Sequence, residues 1–431
     1  MKGEDAITNA LLAAADRFYG VPGFPVSGVL EKTGAESVIN EKVAVEYALG
    51  DSLSGRRAAV ILKNVGLNAC ADPFVEATTQ GLIAGVVIIA GDDPDAEGSQ
   101  NAQDSRYYGE LAEVPVLEPG PDNVYGSVEE AFRASESFSR IAILRVTPDL
   151  LEAEVSPGNA ERKVKNGNIA PLNLTMKGRV QRARNMLGQM GDWSKHSPLN
   201  RINGTSAIVG AAGTGEKTVR HTGASRITTV YPPPGGQGWI QEVQELGRPF
   251  VKEHLHMSPP AYSDPERRED RGFFRSFCKG CPFILAISIL DERGITVICD
   301  AGCCVLCMNP PYKTSLVSYG MGSSIGVAAK STGVALTGDY ALLHSGLPAL
   351  IDVHEKKTPL LCIVMKNNCM GMTGGQQAYD INPYIAWADP VRCRADDEGR
   401  LREILVPPGS PVVVVIEGNC PEGRHHETVE C

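Results

Sequence analysis

Asp339 and Asn367 are the first residues in this sequence whose types and spacing suggest chemistry. Asp339 offers a carboxylate and Asn367 an amide carbonyl oxygen. Hard oxygen donors of this kind suit Mg²⁺, which often shares its shell with substrate phosphates. Gly338 precedes Asp339 and lets the backbone come close to a ligand. A helix expected to start near His344-Ser345-Gly346 would present free N–H groups to an anion. The chemistry implied is metal-assisted binding of a diphosphate.

Two apolar runs must position these groups. Val334 to Leu336 reads as a strand ending at Gly338-Asp339, and Leu360 to Met365 as a second strand ending at Asn367-Asn368. The helix between them makes one βαβ crossover. Both turns then fall at the carboxyl ends of adjacent parallel strands, where open α/β sheets hold their ligands. The bland alternative is an ordinary doubly wound sheet with polar turns.

The rest of the chain reads as α/β. Residues 1–150 form one expected domain. Its strands are Ser37–Asn40, Ala58–Lys63, Gly85–Ala90, Pro115–Leu117 and Ile141–Val146. Its helices are Asp5–Arg17, Glu41–Leu49 and Val128–Ser137, with a turn cluster at Tyr19–Pro25. Residues 151–271 read as a polar connection with one helix, then a small α/β unit with strands at Ser206–Gly210 and Arg226–Tyr231. Pro232-Pro233-Pro234-Gly235-Gly236 breaks any element, and Pro259–Arg271 is the expected boundary. Residues 272–431 form the last domain, with further strands at Thr296–Cys299 and Pro411–Glu417.

Bulk properties exclude several function classes. A net charge of −10 over 431 residues argues against binding nucleic acid or an anionic membrane. No apolar run reaches the ~18 residues of a membrane-spanning helix. Met1-Lys2-Gly3-Glu4-Asp5 leads into an amphipathic helix, not a signal peptide, so the cytoplasm is the expected compartment. Gly210–Thr218 looks like a phosphate loop, but Glu216 separates Gly215 from Lys217, which excludes a Walker site. Of 12 cysteines, only Cys70 precedes Cys278. In a cytosolic chain such a cluster points to metal or redox chemistry before disulfides, although single buried thiols often serve as small hydrophobes.

Several segments together resemble the family of indolepyruvate ferredoxin oxidoreductase α subunits, thiamine diphosphate (ThDP)-dependent 2-oxoacid oxidoreductases. They include Asn40-Glu41-Lys42-Val43-Ala44, Lys63-Asn64-Val65-Gly66-Leu67-Asn68, Asp92-Asp93-Pro94 and the run Ser99–Tyr108. Later come Cys278-Lys279-Gly280-Cys281-Pro282, Gly302-Cys303, Met321–Gly326 and the stretch Gly338–Gln376. The resemblance covers residues 1–150 and 272–420 and is weaker between them.

It implies a ThDP-binding fold with a pyrimidine-binding domain at 1–150 and a diphosphate-binding domain at 272–431. Glu41 matches the carboxylate that hydrogen-bonds the aminopyrimidine and activates the cofactor; Glu46 is the weaker alternative. The alternative for Glu41 is a first-turn acid favoured by the helix dipole. Asp339, the Asn367 side chain and the Cys369 backbone carbonyl are the implied Mg²⁺ ligands. Met321 would wedge the cofactor into its bent shape, or else fill the core. Gly338, His344, Ser345, Gly371 and Met372 complete the implied cofactor contacts.

In the wider 2-oxoacid oxidoreductase group, a Cys pair and a later Cys help hold a [4Fe–4S] cluster. Cys278, Cys281 and Cys303 match those positions, and Cys420 is the candidate fourth ligand. Four thiolates suit such a cluster. Zinc and unliganded packing thiols are the alternatives, and Cys299, Cys304 and Cys307 have no assigned role. The family's C-terminal ferredoxin-like module has no counterpart in this sequence, so the resemblance implies a γ- or β-type partner subunit and ferredoxin, with coenzyme A as a candidate acyl acceptor and an oligomer as the expected state. Asn64 and Phe283 stand where the family has His, at positions expected to face cofactor or substrate. Arg275 and Lys279 could bind a carboxylate, but read better as surface charge. Three functions follow: a 2-oxoacid oxidoreductase subunit, a non-oxidative 2-oxoacid decarboxylase, or a ThDP-fold scaffold or regulatory subunit.

Overall fold

Apolar runs become strands here because both faces of each main sheet are covered, which favours continuous Val, Ile, Leu and Ala over alternation. The computed structural model describes residues 1–431 except 95, 102, 160–161, 200, 203–207, 210–217, 221–270, 424 and 431. The chain divides into two compact units. One takes in Met1–Ser37, Gly55–Asn168 and Val180–Arg268, the other Val38–Ser54, Ile169–Arg179 and Glu269–Cys431.

The first unit carries β1 (Arg17–Gly20), β2 (Glu36–Ser37), β3 (Ala58–Lys63), β4 (Val86–Gly91), β5 (Val116–Leu117) and β6 (Ala142–Val146). They form one sheet in the order β2-β1-β3-β4-β6-β5, with every neighbouring pair parallel. Ile61, Ile89 and Leu144 pack with Ile7 and Leu11 of the helix Gly3–Ala14 and with Val128 and Phe132 of the helix Val124–Phe138. Each such side chain stabilises the fold by about 1.5–3 kcal/mol when fully buried.

Strand β1 corrects the sequence reading. The first helix ends at Ala14, not Arg17, and the expected turn cluster overlaps the end of β1 at Tyr19-Gly20. A small sheet of β7 (Arg201–Ile202), β8 (Ile208–Val209) and β9 (Thr218–Arg220), ordered β7-β9-β8, follows the helix Met176–His196. The expected strand Arg226–Tyr231, the break at 232–236 and most of the 259–271 boundary lie outside the described residues, as does most of the 210–218 loop.

The second unit contains β10 (Phe273–Cys278), β11 (Ile298–Cys299), β12 (Val334–Gly338), β13 (Leu360–Lys366), β14 (Cys369–Met370), β15 (Gln376–Gln377), β16 (Val391–Arg394), β17 (Pro411–Glu417) and β18 (His426–Glu430). Its main sheet runs β11-β12-β13-β17-β16, all parallel. β10 pairs antiparallel with β18, and β14 with β15. The core between sheet and helices includes Leu336, Ile363, Val414, Ile287 and Leu290.

The helix Glu41–Leu53, read from sequence as part of a 1–150 domain, groups with this second unit. Residues Lys42 to Ser52 are all buried, so the helix has no solvent stripe. Its Tyr47 hydroxyl donates to Asp352 Oδ2 at 2.7 Å, and Ile39 N–H donates to Asp352 Oδ1 at 3.0 Å. Lys42 forms a buried ion pair with Glu46 one turn on. Among the described residues no helix is long and apolar enough to cross a membrane.

Candidate cofactor site

Neighbouring strands β12 and β13 pair from Val334↔Leu361 to Gly338↔Met365, so their carboxyl ends finish side by side. Asp339 then links the two turns. Its Oδ2 accepts the N–H groups of Asn367 at 3.1 Å and Asn368 at 2.7 Å, and its Oδ1 accepts that of Tyr340 at 2.8 Å. Burial raises the carboxyl's pKa while these amide donors oppose the shift. Asn368 takes a left-handed conformation at φ 56°, which Asn tolerates better than most residues. Asn367 Oδ1 accepts Cys369 N–H at 3.3 Å, and its Nδ2 donates to Cys420 Sγ at 3.2 Å.

The helix after β12 starts at Asp339, not near His344 as the sequence suggested. Asp339's own carboxylate takes the first-turn N–H of Tyr340, so the chain turns helical directly after Gly338. His344 and Ser345 fall in a π-turn, Leu342–Gly346, inside the continuing helix. Ser345 Oγ donates to the Met321 carbonyl at 2.5 Å, and His344 Nδ1 lies 3.1 Å from Ser345 Oγ. Gly322 is needed here: its φ is +74°, and a Cβ on it would meet Gly346 N at 2.5 Å. The Met321-Gly322 loop therefore rests on the π-turn.

A cavity of about 140 Å³ opens beside these turns within the second unit. Gly338, Asp339, Asn367, Cys369, Gly371, Met372 and Met321 line it. So do Cys278, Cys281, Cys303 and Cys420, which brings the expected diphosphate residues and the expected sulfur ligands to one space. Glu41, His344 and Ser345 do not line it. Glu41 is half-buried at the start of its helix, behind Asn40, whose side chain accepts Val43 N–H at 2.9 Å.

Among the described residues no disulfide joins any of the eleven cysteines. Burial first, then the neighbouring thiols Cys420 and Cys278, pushes Cys281 up to about 11. Burial and the thiols of Cys281, Cys420, Cys278 and Cys369 push Cys303 up to about 12. Gathered thiolates repel one another, so this set would ionise fully only around a cation. Among the described residues no group of three or more His, Cys, Asp or Glu side chains could hold a single metal ion. The donor types at Asp339 and Asn367 fit Mg²⁺.

The structure adds residues that the sequence reading missed. The Cys369 side chain, considered before only for its carbonyl, places Sγ 3.8 Å from Cys420 Sγ. His426 on β18 reaches within 4.0 Å of Cys303 Sγ, and burial lowers its pKa, with Arg275 adding to the shift. Cys299, Cys304 and Cys307 are fully buried core residues. Phe283 lines the cavity. In the first unit, Asn64 is wholly buried, with Nδ2 donating to the Gln103 carbonyl at 3.0 Å and Oδ1 accepting Val65 N–H at 2.8 Å. Arg275 and Lys279 are exposed.

Two parallel sheets flanked by helices, in these strand orders, give the chain the fold of the thiamine diphosphate enzymes. Residues 300–386 match the family model for the C-terminal TPP binding domain of thiamine pyrophosphate enzymes. Benzoylformate decarboxylase from Polynucleobacter necessarius shares the fold at a TM-score of 0.55 and 13% identity, over 96% of this chain and 98% of that one. Within the class, the chain is similar to the indolepyruvate oxidoreductase subunit IorA. It is 26% identical to that of Methanothermobacter thermautotrophicus over 473 residues, covering 87% of this chain and 76% of the relative. It is 27% identical to that of Pyrococcus horikoshii over 488 residues, covering 87% and 75%.

Proposed function

We propose that this chain is the α-type subunit of a ThDP- and Mg²⁺-dependent 2-oxoacid oxidoreductase. The observation that carries the reading is the Asp339 carboxylate tying the Asn367-Asn368 turn to the start of its own helix, on the wall of a cavity lined by cysteines. Asp339, the Asn367 side chain and the Cys369 carbonyl hold the metal. Gly338, Gly371 and Met372 line the same cavity and would contact the diphosphate. Ser345 fixes Met321 through its carbonyl and so shapes the wall beside the cofactor; His344 supports Ser345. ThDP bound there supplies the electron sink that 2-oxoacid decarboxylation needs. Glu41 would hydrogen-bond the aminopyrimidine of bound ThDP and so activate it. Because Glu41 does not line the cavity of its own chain, the reading favours an oligomer in which a second copy supplies it.

Cys278, Cys281, Cys303 and Cys420 would hold one [4Fe–4S] cluster, which when bound would supply a route for electrons toward a γ- or β-type partner and ferredoxin. Coenzyme A is the candidate acyl acceptor. An aryl 2-oxoacid such as indolepyruvate is the substrate class that the relatives' name suggests, and Phe283 in the lining suits an aromatic group.

Anaerobic purification from the native source tests the proposal. ThDP, Mg²⁺, iron and a co-purifying small chain are expected, with 2-oxoacid turnover that requires an electron acceptor. A colourless protein releasing CO₂ with no acceptor would select a non-oxidative decarboxylase instead. Failure to bind ThDP and Mg²⁺ in calorimetry would leave a scaffold or regulatory role, which the replacement of two expected histidines by Asn64 and Phe283 favours.

A further inference from the structure

We propose that Cys369 and Cys420 form a reversible disulfide on the cavity wall, an oxidative modification open to the chain only while Cys420 does not hold the cluster proposed above. Their Sγ atoms lie 3.8 Å apart. A disulfide needs about 2.05 Å, so closure requires less than 2 Å of movement, within reach of a side-chain rotation. Cys369 opens the short strand β14 and Cys420 lies in the loop after β17, so neither is inside a strand of the main sheet. Cys369 follows the left-handed Asn368, and Cys420 follows the end of β17. Both are half-buried and line the cavity, so a small reagent can reach them, whereas Cys299, Cys304, Cys307 and Cys362 are enclosed in the core.

Cys420 is the nucleophile of the pair. The Asn367 amide donates to its sulfur at 3.2 Å and so holds that sulfur in place beside Cys369. The oxidant is a low-molecular-weight disulfide. The Cys420 thiolate attacks one of its sulfurs and expels one thiolate, leaving a mixed disulfide on Cys420. Cys369 loses its proton and attacks Cys420 Sγ, expelling the second thiolate. Two electrons pass to the reagent, and the two protons from the cysteines complete two small thiols. Closure removes the sulfur acceptor of Asn367 and ties the Asn367–Met370 turn to the Gly418–Pro421 turn.

The test uses the full chain, reduced, freed of metal with chelator, then exposed to oxidised glutathione. Remaining thiols are alkylated and the protein is mapped as non-reduced peptides. A Cys369–Cys420 linked peptide that dithiothreitol dissolves is expected. In Cys369→Ser that peptide is lost and Cys420 accumulates a glutathione adduct. Wild-type protein with both residues fully alkylated after oxidation, or with Cys420 joined instead to Cys303 or Cys281, would overturn the proposal. ThDP binding to the reduced chain is measured separately, so failure of the cofactor reading would leave the thiol result standing.

Discussion

The side-chain amide of Asn367 donates to the thiol of Cys420 at 3.2 Å, so the proposed metal turn and the proposed sulfur site share an edge. Asp339 sits on the other side of that turn, and its described hydrogen bonds run to backbone amides and not to Cys420. The two residues should therefore separate in mutation. Asp339→Ala is expected to weaken ThDP–Mg²⁺ binding by roughly a hundredfold or more, as loss of a ligand should exceed the effect of losing an outer-shell partner. It should spare the iron content. Asn367→Ala is expected to lower both. Calorimetry on the ThDP–Mg²⁺ pair and iron analysis of the same preparations provide the check. Equal iron loss in the two variants would mean the sites do not share this edge alone.

Glu41 opens a helix whose next eleven residues are buried, which anchors the carboxylate firmly while leaving it half-exposed. Glu41→Gln keeps shape and hydrogen-bonding capacity but cannot take up charge. If Glu41 does proton chemistry at the cofactor, turnover should fall on the order of 10²–10⁴-fold with ThDP affinity unchanged. Parallel steady-state kinetics and cofactor titration would show this. Turnover within a few-fold of wild type would remove Glu41 from the proton path.

The sheet of the second unit was legible because β12, β13 and β17 are unbroken apolar runs, as strands buried on both faces must be. The approach of Asp339 to Asn367 was legible because one crossover separates them. The helix start was not. His344-Ser345-Gly346 carries cap-like residue types, while the group that takes the first N–H is the Asp339 carboxylate itself. The β10–β18 pair joins residues about 150 positions apart through short, weakly alternating segments, which leave no local signal. The helix Glu41–Leu53 is buried all round, so its periodicity could not reveal what covers it. Cys369 was visible as a residue, but its approach to Cys420 comes from the turn geometry at Asn368.

Lys42 and Glu46 form an ion pair inside that helix, with Glu46 wholly buried against Gly326. A Cβ on Gly326 would fall 2.4 Å from Glu46 Oε2, so the glycine makes room for this carboxylate. Lys42→Met removes the cation and leaves a buried charge, at a cost of about 3–5 kcal/mol. The double variant Lys42→Met/Glu46→Gln removes both charges and keeps the side-chain shape, and should recover most of that loss. Urea unfolding of both variants at one pH gives the comparison. A single variant as stable as wild type would show that the pair is not held as described.

Asp300 provides the clearest pH dependence. It is wholly buried, and its Oδ1 accepts Ser324 N–H at 2.7 Å while its Oδ2 accepts the Thr337 hydroxyl. Burial pushes its pKa up to about 6; the Thr337 and Ser324 donors and the Lys42 charge hold it from rising further. An unfolded Asp titrates near ~3.9. The folded state therefore binds the proton more tightly. The stability this group contributes is present below about pH 4 and is lost as pH rises through about 6. Asp300→Asn mimics the protonated acid, since the Thr337 hydroxyl can turn to accept from the new amide. Its stability relative to wild type should rise between pH 4 and pH 8 by on the order of 2 kcal/mol. Urea midpoints for the two proteins across that range measure the difference. A flat difference, or one that falls with pH, would mean that Asp300 keeps its charge in the folded protein and that Lys42 compensates for its burial.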